Sequence, residues 1–217
     1  MKFHKPFMLL AIFFYTLTAD ASGNEIGIAT GINSSFYKQW FDSNSEYAKS
    51  HDLINPVEVY FKKQILKYFA LYSSVQFIKK SFSDWYYRTD IAGNILDKIE
   101  YGFSRNYISI QTMPLFYYKL DRFSMDIGGG LSGDIYINQN QTDFFTESKA
   151  VFREKGVSPF TLSFLSGAGV RYSLNNFLCL GLNTRVIRTL TKLYHNQPDN
   201  RTYFVNFQNT VSVGICF

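Results

Sequence analysis

Among its 217 residues the chain has two cysteines and three histidines. Cys179 and Cys216 have no partner histidine at ligand spacing, which argues against a metal centre. His4 falls in an N-terminal leader, so an enzyme would have to work with His51 and His195. Lysine and arginine give a net charge of +5 but form no run of five and no stripe, and acids are interspersed among them, which excludes a nucleic-acid surface. Gly128-Gly129-Gly130 lacks the Gly-Lys-Ser/Thr ending of a phosphate loop, and no helical pattern follows it. No cofactor is therefore expected. Long apolar runs are missing too. The longest, Phe7 to Leu17, falls short of the about 20 residues a membrane helix needs, so a chain living in a bilayer would have to cross it as a closed sheet.

That apolar run reads instead as a targeting segment. Lys2, His4 and Lys5 precede it, and Ala19-Asp20-Ala21 places small residues where a signal peptidase inspects the chain. Residues 1–21 are thus expected to be a cleavable signal peptide and residues 22–217 one domain.

What remains is rich in aromatics, 22 Phe and 16 Tyr, with a mean hydropathy close to neutral. Both follow if lipid-facing and lumen-facing positions alternate along strands joined by polar loops. The clearest alternation is the last. Val205, Phe207, Val211, Val213, Ile215 and Phe217 interleave with Asn206, Gln208, Thr210, Ser212, Gly214 and Cys216, which is a strand with a different solvent on each side. A terminal strand closing on an aromatic resembles the assembly signal of Gram-negative outer-membrane barrels. Recognition of Phe217 by the barrel assembly machinery is what that resemblance implies.

Seven more stretches show the same period. Ile26, Ile28, Thr30 and Ile32 oppose Gly27, Ala29, Gly31 and Asn33; Val57, Val59 and Phe61 oppose Glu58, Tyr60 and Lys62; Phe69, Leu71, Val75 and Phe77 oppose Ala70, Tyr72, Ser74 and Gln76. The fourth stretch, around Tyr107 to Phe116, contains Pro114, which cannot donate to a ladder and predicts a bulge or break. A fifth runs from Phe123 to Ile135, a sixth from Pro159 to Leu174 and a seventh from Phe177 to Leu190. Long connections are read at 36–53, 79–105, 138–158 and 195–201, and short ones between them. Long and short alternate, as in an all-β, eight-stranded antiparallel up-and-down transmembrane barrel with short turns on the periplasmic side.

Taken in order, the Gly27/Gly31 strand, Val57 to Phe77, Met113-Pro114-Leu115, the Gly128-Gly129-Gly130 strand, Gly167-Ala168-Gly169-Val170-Arg171-Tyr172 and Gly214-Ile215-Cys216-Phe217 make the chain resemble the small Bacteroidota outer-membrane β-barrel proteins of PorT-like type. The resemblance implies a fold and a compartment, the cell outer membrane, and does not define an activity.

Eight strands enclose a lumen that side chains fill. The inward positions Glu58, Lys62, Asp126, Asp134, Arg171 and Arg185 place charges of both signs there, and buried charges must pair, so a polar plug is expected. Cys179 and Cys216 fall on the same small, polar faces, low in the lumen, where an oxidising compartment allows a disulfide. Lys62, Lys63, Lys67, Lys119 and Arg122 against Asp121 predict a basic rim at the short turns, facing anionic lipid headgroups. The leading expectation is a non-enzymatic barrel with loops for adhesion, envelope integrity or binding an envelope or extracellular protein. Two alternatives stand beside it. One is a rim hydrolase of lipid or peptide using His51 or His195 with Asp52 or Asp199. The other is a secreted lipocalin-like barrel, with apolar side chains inside and polar ones outside.

Overall fold

A ribbon with one oily and one polar face survives in a bilayer if its last strand pairs with its first, leaving no open edge. The computed structural model of the chain has this closure. It describes the backbone of residues 23–39, 47–54, 56–90, 92–143, 149–152, 157–191 and 202–217, with side chains described over 23–36, 56–81, 90, 92–94, 96, 104–140, 157–191 and 204–217. Among the described residues ten strands follow in order: β1 (Asn24–Gln39), β2 (Tyr47–Ile54), β3 (Val57–Leu66), β4 (Phe69–Thr89), β5 (Ile95–Leu120), β6 (Phe123–Asp143), β7 (Lys149–Phe152), β8 (Phe160–Ser173), β9 (Leu178–Thr189) and β10 (Thr202–Cys216).

Eight of them form the ring β1, β3, β4, β5, β6, β8, β9, β10, every pair antiparallel. The seam between β10 and β1 runs without a slip from Glu25↔Cys216 to Gln39↔Thr202. Asn24 and Phe217 add two backbone hydrogen bonds at its end. The short strands β2 and β7 pair with the far parts of β1 and β6.

Three short turns, at Lys67–Tyr68, Asp121–Arg122 and residues 174–177, lie at one end of the ring together with Asn24 and Phe217. Asp121 takes a left-handed φ of 50°, which a short polar side chain tolerates. At residues 174–177 the Asn175 side-chain oxygen accepts the backbone N–H groups of Phe177 and Leu178.

The two faces differ in solvent. Ile28 is 63% exposed and its neighbour Ala29 4%, and the same contrast separates Leu182 from Asn183 and Ile127 from Asp126. Ile28, Val57, Ile127, Leu182 and Val211 make an exposed apolar belt, while Asn33, Glu58, Ser74, Gln111, Asp134 and Gln208 are buried on the inside. On β10 the belt runs from Phe207 to Phe217, about 34 Å along the strand and roughly 26 Å along the barrel axis at an ordinary tilt. That matches the apolar height of a transmembrane barrel, and exposed Tyr68, Phe69, Phe116, Tyr118, Phe123 and Phe177 ring its lower border as an aromatic girdle. A lipocalin-like barrel needs the reverse arrangement and is excluded by these faces.

Three expectations need correction. Residues 36–53, 79–105 and 138–158 are not simply loops: β1 reaches Gln39, β4 and β5 run on to Thr89 and from Ile95, and β6 reaches Asp143. Above the belt no hydrocarbon demands an apolar face, so hydrophobic alternation fades while backbone pairing and β-forming Tyr, Phe, Trp and Thr carry the ladders onward. Pro114, by contrast, brings the break that its missing N–H predicts, without a bulge. The β5–β6 ladder is interrupted between Thr112↔Leu131 and Leu115↔Gly128, yet its register is unchanged across the gap. Glycines opposite make this possible, since a Cβ on Gly128 would sit 2.1 Å from the Pro114 carbonyl oxygen. Lys62, read both as a lumen residue and as part of the basic rim, belongs to the lumen: it is buried. Phe61 also departs from simple alternation. It is 2% exposed, although its register partner Ile26 is on the outside.

Candidate functional site

Because successive residues of a strand point to opposite faces, the small and polar positions of all eight ring strands converge on one axis. Among the described residues nine charged side chains are buried there, the cations Lys62, Lys80, Arg105, Arg171 and Arg185 and the anions Glu25, Glu58, Asp126 and Asp134. They fall into three levels.

At the lowest level, nearest the short turns, Lys62 Nζ donates to Asp126 Oδ2 at 2.8 Å. Arg171 also donates to Asp126 through Nη1 and reaches Glu25 Oε1 through Nε at 3.1 Å. Tyr60 donates to the same Glu25 oxygen at 2.5 Å. One arginine thus bridges two carboxylates from strands β1 and β6, four places apart in the eight-strand ring. The middle level centres on Arg185. Its Nη1 donates to Glu58 Oε1 at 2.7 Å and to Gln111 Oε1 at 3.2 Å, and its Nη2 donates to the Tyr72 hydroxyl at 2.6 Å. Tyr72 in turn donates to Glu58 at 2.7 Å. The guanidinium carbon lies 4.6 Å from the centre of the Tyr72 ring, and Tyr72 stacks on Tyr60, which joins the two levels. At the upper level Lys80 Nζ donates to Asp134 Oδ2 at 2.8 Å, and Ser132 and Ser163 donate to the same carboxylate. Arg105 Nε donates to Gln139 nearby, while Tyr107, Tyr136, Ile78 and Val157 pack as an apolar cluster.

The lumen is not wholly polar. Met113, Leu115, Leu165 and Ile187 fill space around Tyr60 and Tyr72. Ions, aromatics and these apolar groups occupy the cross-section, as expected for a ring of eight strands.

Glu58, Asp126, Asp134, Arg171 and Arg185 are all inward, buried and ion-paired. The sequence reading missed Glu25, Lys80 and Arg105. Glu25 is one residue before the first alternating isoleucine. Lys80 stands where the third stretch was read as ended and Arg105 where the fourth was read as not yet begun, and extending the inward register two steps beyond Gln76, through Ile78, would have found Lys80. His51 lies in β2 with its side chain outside the described residues, and His195 and Asp199 lie outside them altogether, as do the expected signal peptide and its cleavage point.

Cys179 and Cys216 come together. Their Sγ atoms are 3.2 Å apart and both are thiols. Cys179 pairs in register with Gly214, so Cys216 is its diagonal neighbour on β10. With a Glu25 carboxylate oxygen, the two sulfurs lie within 4.8 Å of one another. They face a vestibule of about 410 Å³ that opens among the short turns and is also lined by Lys62, Lys119, Asp121, Arg122 and Arg171. Lys67, Lys119 and Arg122 are exposed at this end.

At the opposite end, the β4–β5 hairpin closes at a tip held by Asp90, Ala92, Gly93 and Asn94. The Asp90 carboxylate accepts the backbone N–H groups of Ala92 and Asn94 and the Asn94 side-chain amide, and Gly93 supplies a φ of +83°. The bond from the Asn94 side chain, with the backbone donors, holds Asp90 below the usual carboxylate range.

No protein-family model and no curated protein matches the chain. Among solved structures it is similar to Ail, the attachment invasion locus protein of Yersinia pestis, with a TM-score of 0.44 and 14% identity over 90% of this chain and 99% of that one. It is also similar to the outer membrane protein OprG of Pseudomonas aeruginosa, at a TM-score of 0.41 and 12% identity over 91% and 97% of the two chains. The outer membrane protease OmpT of Escherichia coli gives 0.47 and 10% over 90% and 97%. The barrel assignment rests on the closed ring and its two faces, without weight from these likenesses. The chain is a β-barrel of outer-membrane type.

Proposed function

We propose that the protein is a non-enzymatic outer-membrane barrel whose ion-paired lumen is a structural plug and whose extended outer hairpins bind a partner in the envelope or outside the cell. The observation that carries this reading is the β4–β5 hairpin. Its ladder is in continuous register from Phe69↔Phe116 to Arg88↔Asp97, whereas the apolar belt on β4 ends at Phe77. The twelve residues from Ile78 to Thr89 therefore extend about 40 Å along the strand beyond the belt, far more than closing the ring requires. A long, paired hairpin presents side chains on a rigid support, which lowers the ordering cost of binding a protein surface.

The plug supports the same reading. Among the described residues each buried carboxylate is paired with a cation, as a charge-balanced structural plug requires. Lipid contact through the belt and delivery by the barrel assembly machinery through the strand ending at Phe217 complete the proposed partners. The PorT-like resemblance stands on the order of the sequence landmarks and adds no activity to this reading.

The test is a hairpin truncation, joining residue 81 to residue 104 through an Asn-Gly turn, expressed beside the full chain. Heat-modifiable migration of both forms shows that the barrel survives. Crosslinking in the native envelope should then capture a partner with the full chain and lose it with the truncation. Identical crosslinked species from both forms would refute a binding role for the hairpin.

A further inference from the structure

The two thiols at the short-turn mouth have no part in the plug, yet several features of the fold converge on them. Period two places Cys179 and Cys216 on the lumen face of adjacent strands, and register makes them diagonal rather than directly opposed. Directly opposed cross-strand cysteines force a strained bridge, but a diagonal pair whose sulfurs are already 3.2 Å apart needs a closure of a little over 1 Å to reach the about 2.05 Å of a disulfide. Gly214, the residue facing Cys179, has no side chain to obstruct this. A Cβ there would lie 3.0 Å from Cys179 Sγ and 2.8 Å from a Glu25 oxygen. Cys216 is half-buried and both sulfurs line the vestibule, so a reagent entering from the short-turn end reaches them.

We propose that Cys179 and Cys216 are a disulfide site, oxidised by thiol–disulfide exchange through the vestibule, that ties β10 to β9 beside Phe217. The supply of oxidant rests on the outer-membrane reading, in which the short turns face an oxidising compartment. The donor is a disulfide, either a small molecule or a thiol oxidoreductase. Cys216, the more accessible sulfur, gives up its proton and attacks the donor, forming a mixed disulfide and releasing one donor thiol. Cys179 then loses its proton and attacks Cys216 Sγ, and the second donor thiol leaves. Two cysteine thiols are oxidised by two electrons, and one donor disulfide is reduced to two thiols. Lys119 and Arg122 outnumber Asp121 at the vestibule mouth, while Lys62 and Arg171 deeper in its wall are already paired, so the entrance favours an anionic donor.

The bond has a local structural role. Cys216 donates its backbone N–H to Phe177 and stands opposite Glu25 at the seam between β10 and β1. A bridge from Cys216 to Cys179 fixes the lower end of β10 to β9, and the last few residues of a strand are where pairing frays first.

Outer membranes from cells producing the full chain are quenched in acid, denatured in detergent and alkylated with a maleimide polymer, with and without prior reductant. Two added polymers after reduction and none before it are expected, with an unreduced intact mass lower by two hydrogens; Cys216→Ser should take one polymer under both conditions. Direct double alkylation of most wild-type molecules would overturn the proposal. So would protection relieved by a chelator instead of a reductant, with zinc or copper released, since Glu25 and the two sulfurs would then hold a metal. Purified barrel, reduced in detergent and then given oxidised glutathione, tests the geometry apart from the compartment. Failure to oxidise there sinks the site itself, whereas absence of the protein from outer membranes sinks the location.

Discussion

The middle level of the lumen makes a quantitative prediction. Arg185→Met keeps most of the side-chain volume and removes the guanidinium, taking away donors to Glu58, Gln111 and the Tyr72 hydroxyl. Glu58, 1% exposed, is left with the Tyr72 hydroxyl as its remaining donor through Oε1, and its Oε2 has no protein partner. Breaking a buried pair from one side costs about 3–5 kcal/mol, mostly because a charge remains without compensation. The surviving Tyr72 contact points to the lower end, about 3 kcal/mol. Glu58→Gln in the same chain removes the stranded charge while keeping an oxygen for Tyr72, so the double variant should cost only about 1 kcal/mol. Urea titration of the barrel in lipid vesicles, followed by intrinsic fluorescence, measures all four corners of the cycle. A coupling of at least about 1.5 kcal/mol is expected. A cost for Arg185→Met below about 1 kcal/mol, or a double variant equal to the sum of the singles, would refute the pairing argument.

Three further outcomes probe the belt, the glycines and the hairpin tip. Leu182→Arg puts a charge in the middle of the belt and should cost about 2–4 kcal/mol in the same titration, whereas Phe177→Arg at the short-turn border should cost no more than about 1; equal costs would mean that the belt does not meet hydrocarbon. Gly130→Val would place its Cβ about 2.1 Å from the Thr112 carbonyl oxygen and 2.8 Å from the Met113 Cα, backbone that has no room to yield, so the heat-modifiable form should be lost. Survival of that form would show that β5 and β6 can separate here. Asp90, lowered by the Asn94 side chain, supports the tip at pH above its unfolded pKa of about 3.9 and loses that support as pH falls through the lower folded value. An NMR titration of the Asn94 side-chain amide should therefore have a midpoint below about 3.9, and a midpoint at or above it would remove the tip interaction.

The membrane-embedded part of the barrel was legible because two solvents impose one rule on every second residue. Ile26, Ile28 and Ile32, or Phe123, Met125 and Ile127, could not sit inward without exchanging places with glycine, serine and aspartate. Above the belt the rule lapses. Between Phe82 and Tyr101 neither hydrophobicity nor charge in the sequence distinguishes a paired strand from a loop, so the length of the β4–β5 hairpin was hidden. The lumen pairs were half legible. Alternation placed Glu58 and Arg185 on the inside, but their partnership depends on shear around the ring, which no single strand encodes. The meeting of Cys179 with Cys216 was the better case, since β9 and β10 are sequential and pair in one register without a slip.

The same contrast bears on what fixes that register. Lipid accepts Ile, Leu, Val and Phe at any height in the belt, so a strand sliding by two residues keeps an oily exterior and loses almost nothing there. Inside, a slide by two moves Lys80 off Asp134, Arg185 off Glu58 and Arg171 off both Glu25 and Asp126, and each of these pairs joins strands that are not consecutive in sequence. Replacing the ions with apolar residues of equal volume need not destabilise the ring. It would instead remove the penalty on sliding. The charges in this lumen therefore contribute more to choosing one register among several than to the depth of the native state, and the seam between β1 and β10, which joins the ends of the ring, is where that choice is hardest to make by local pairing alone.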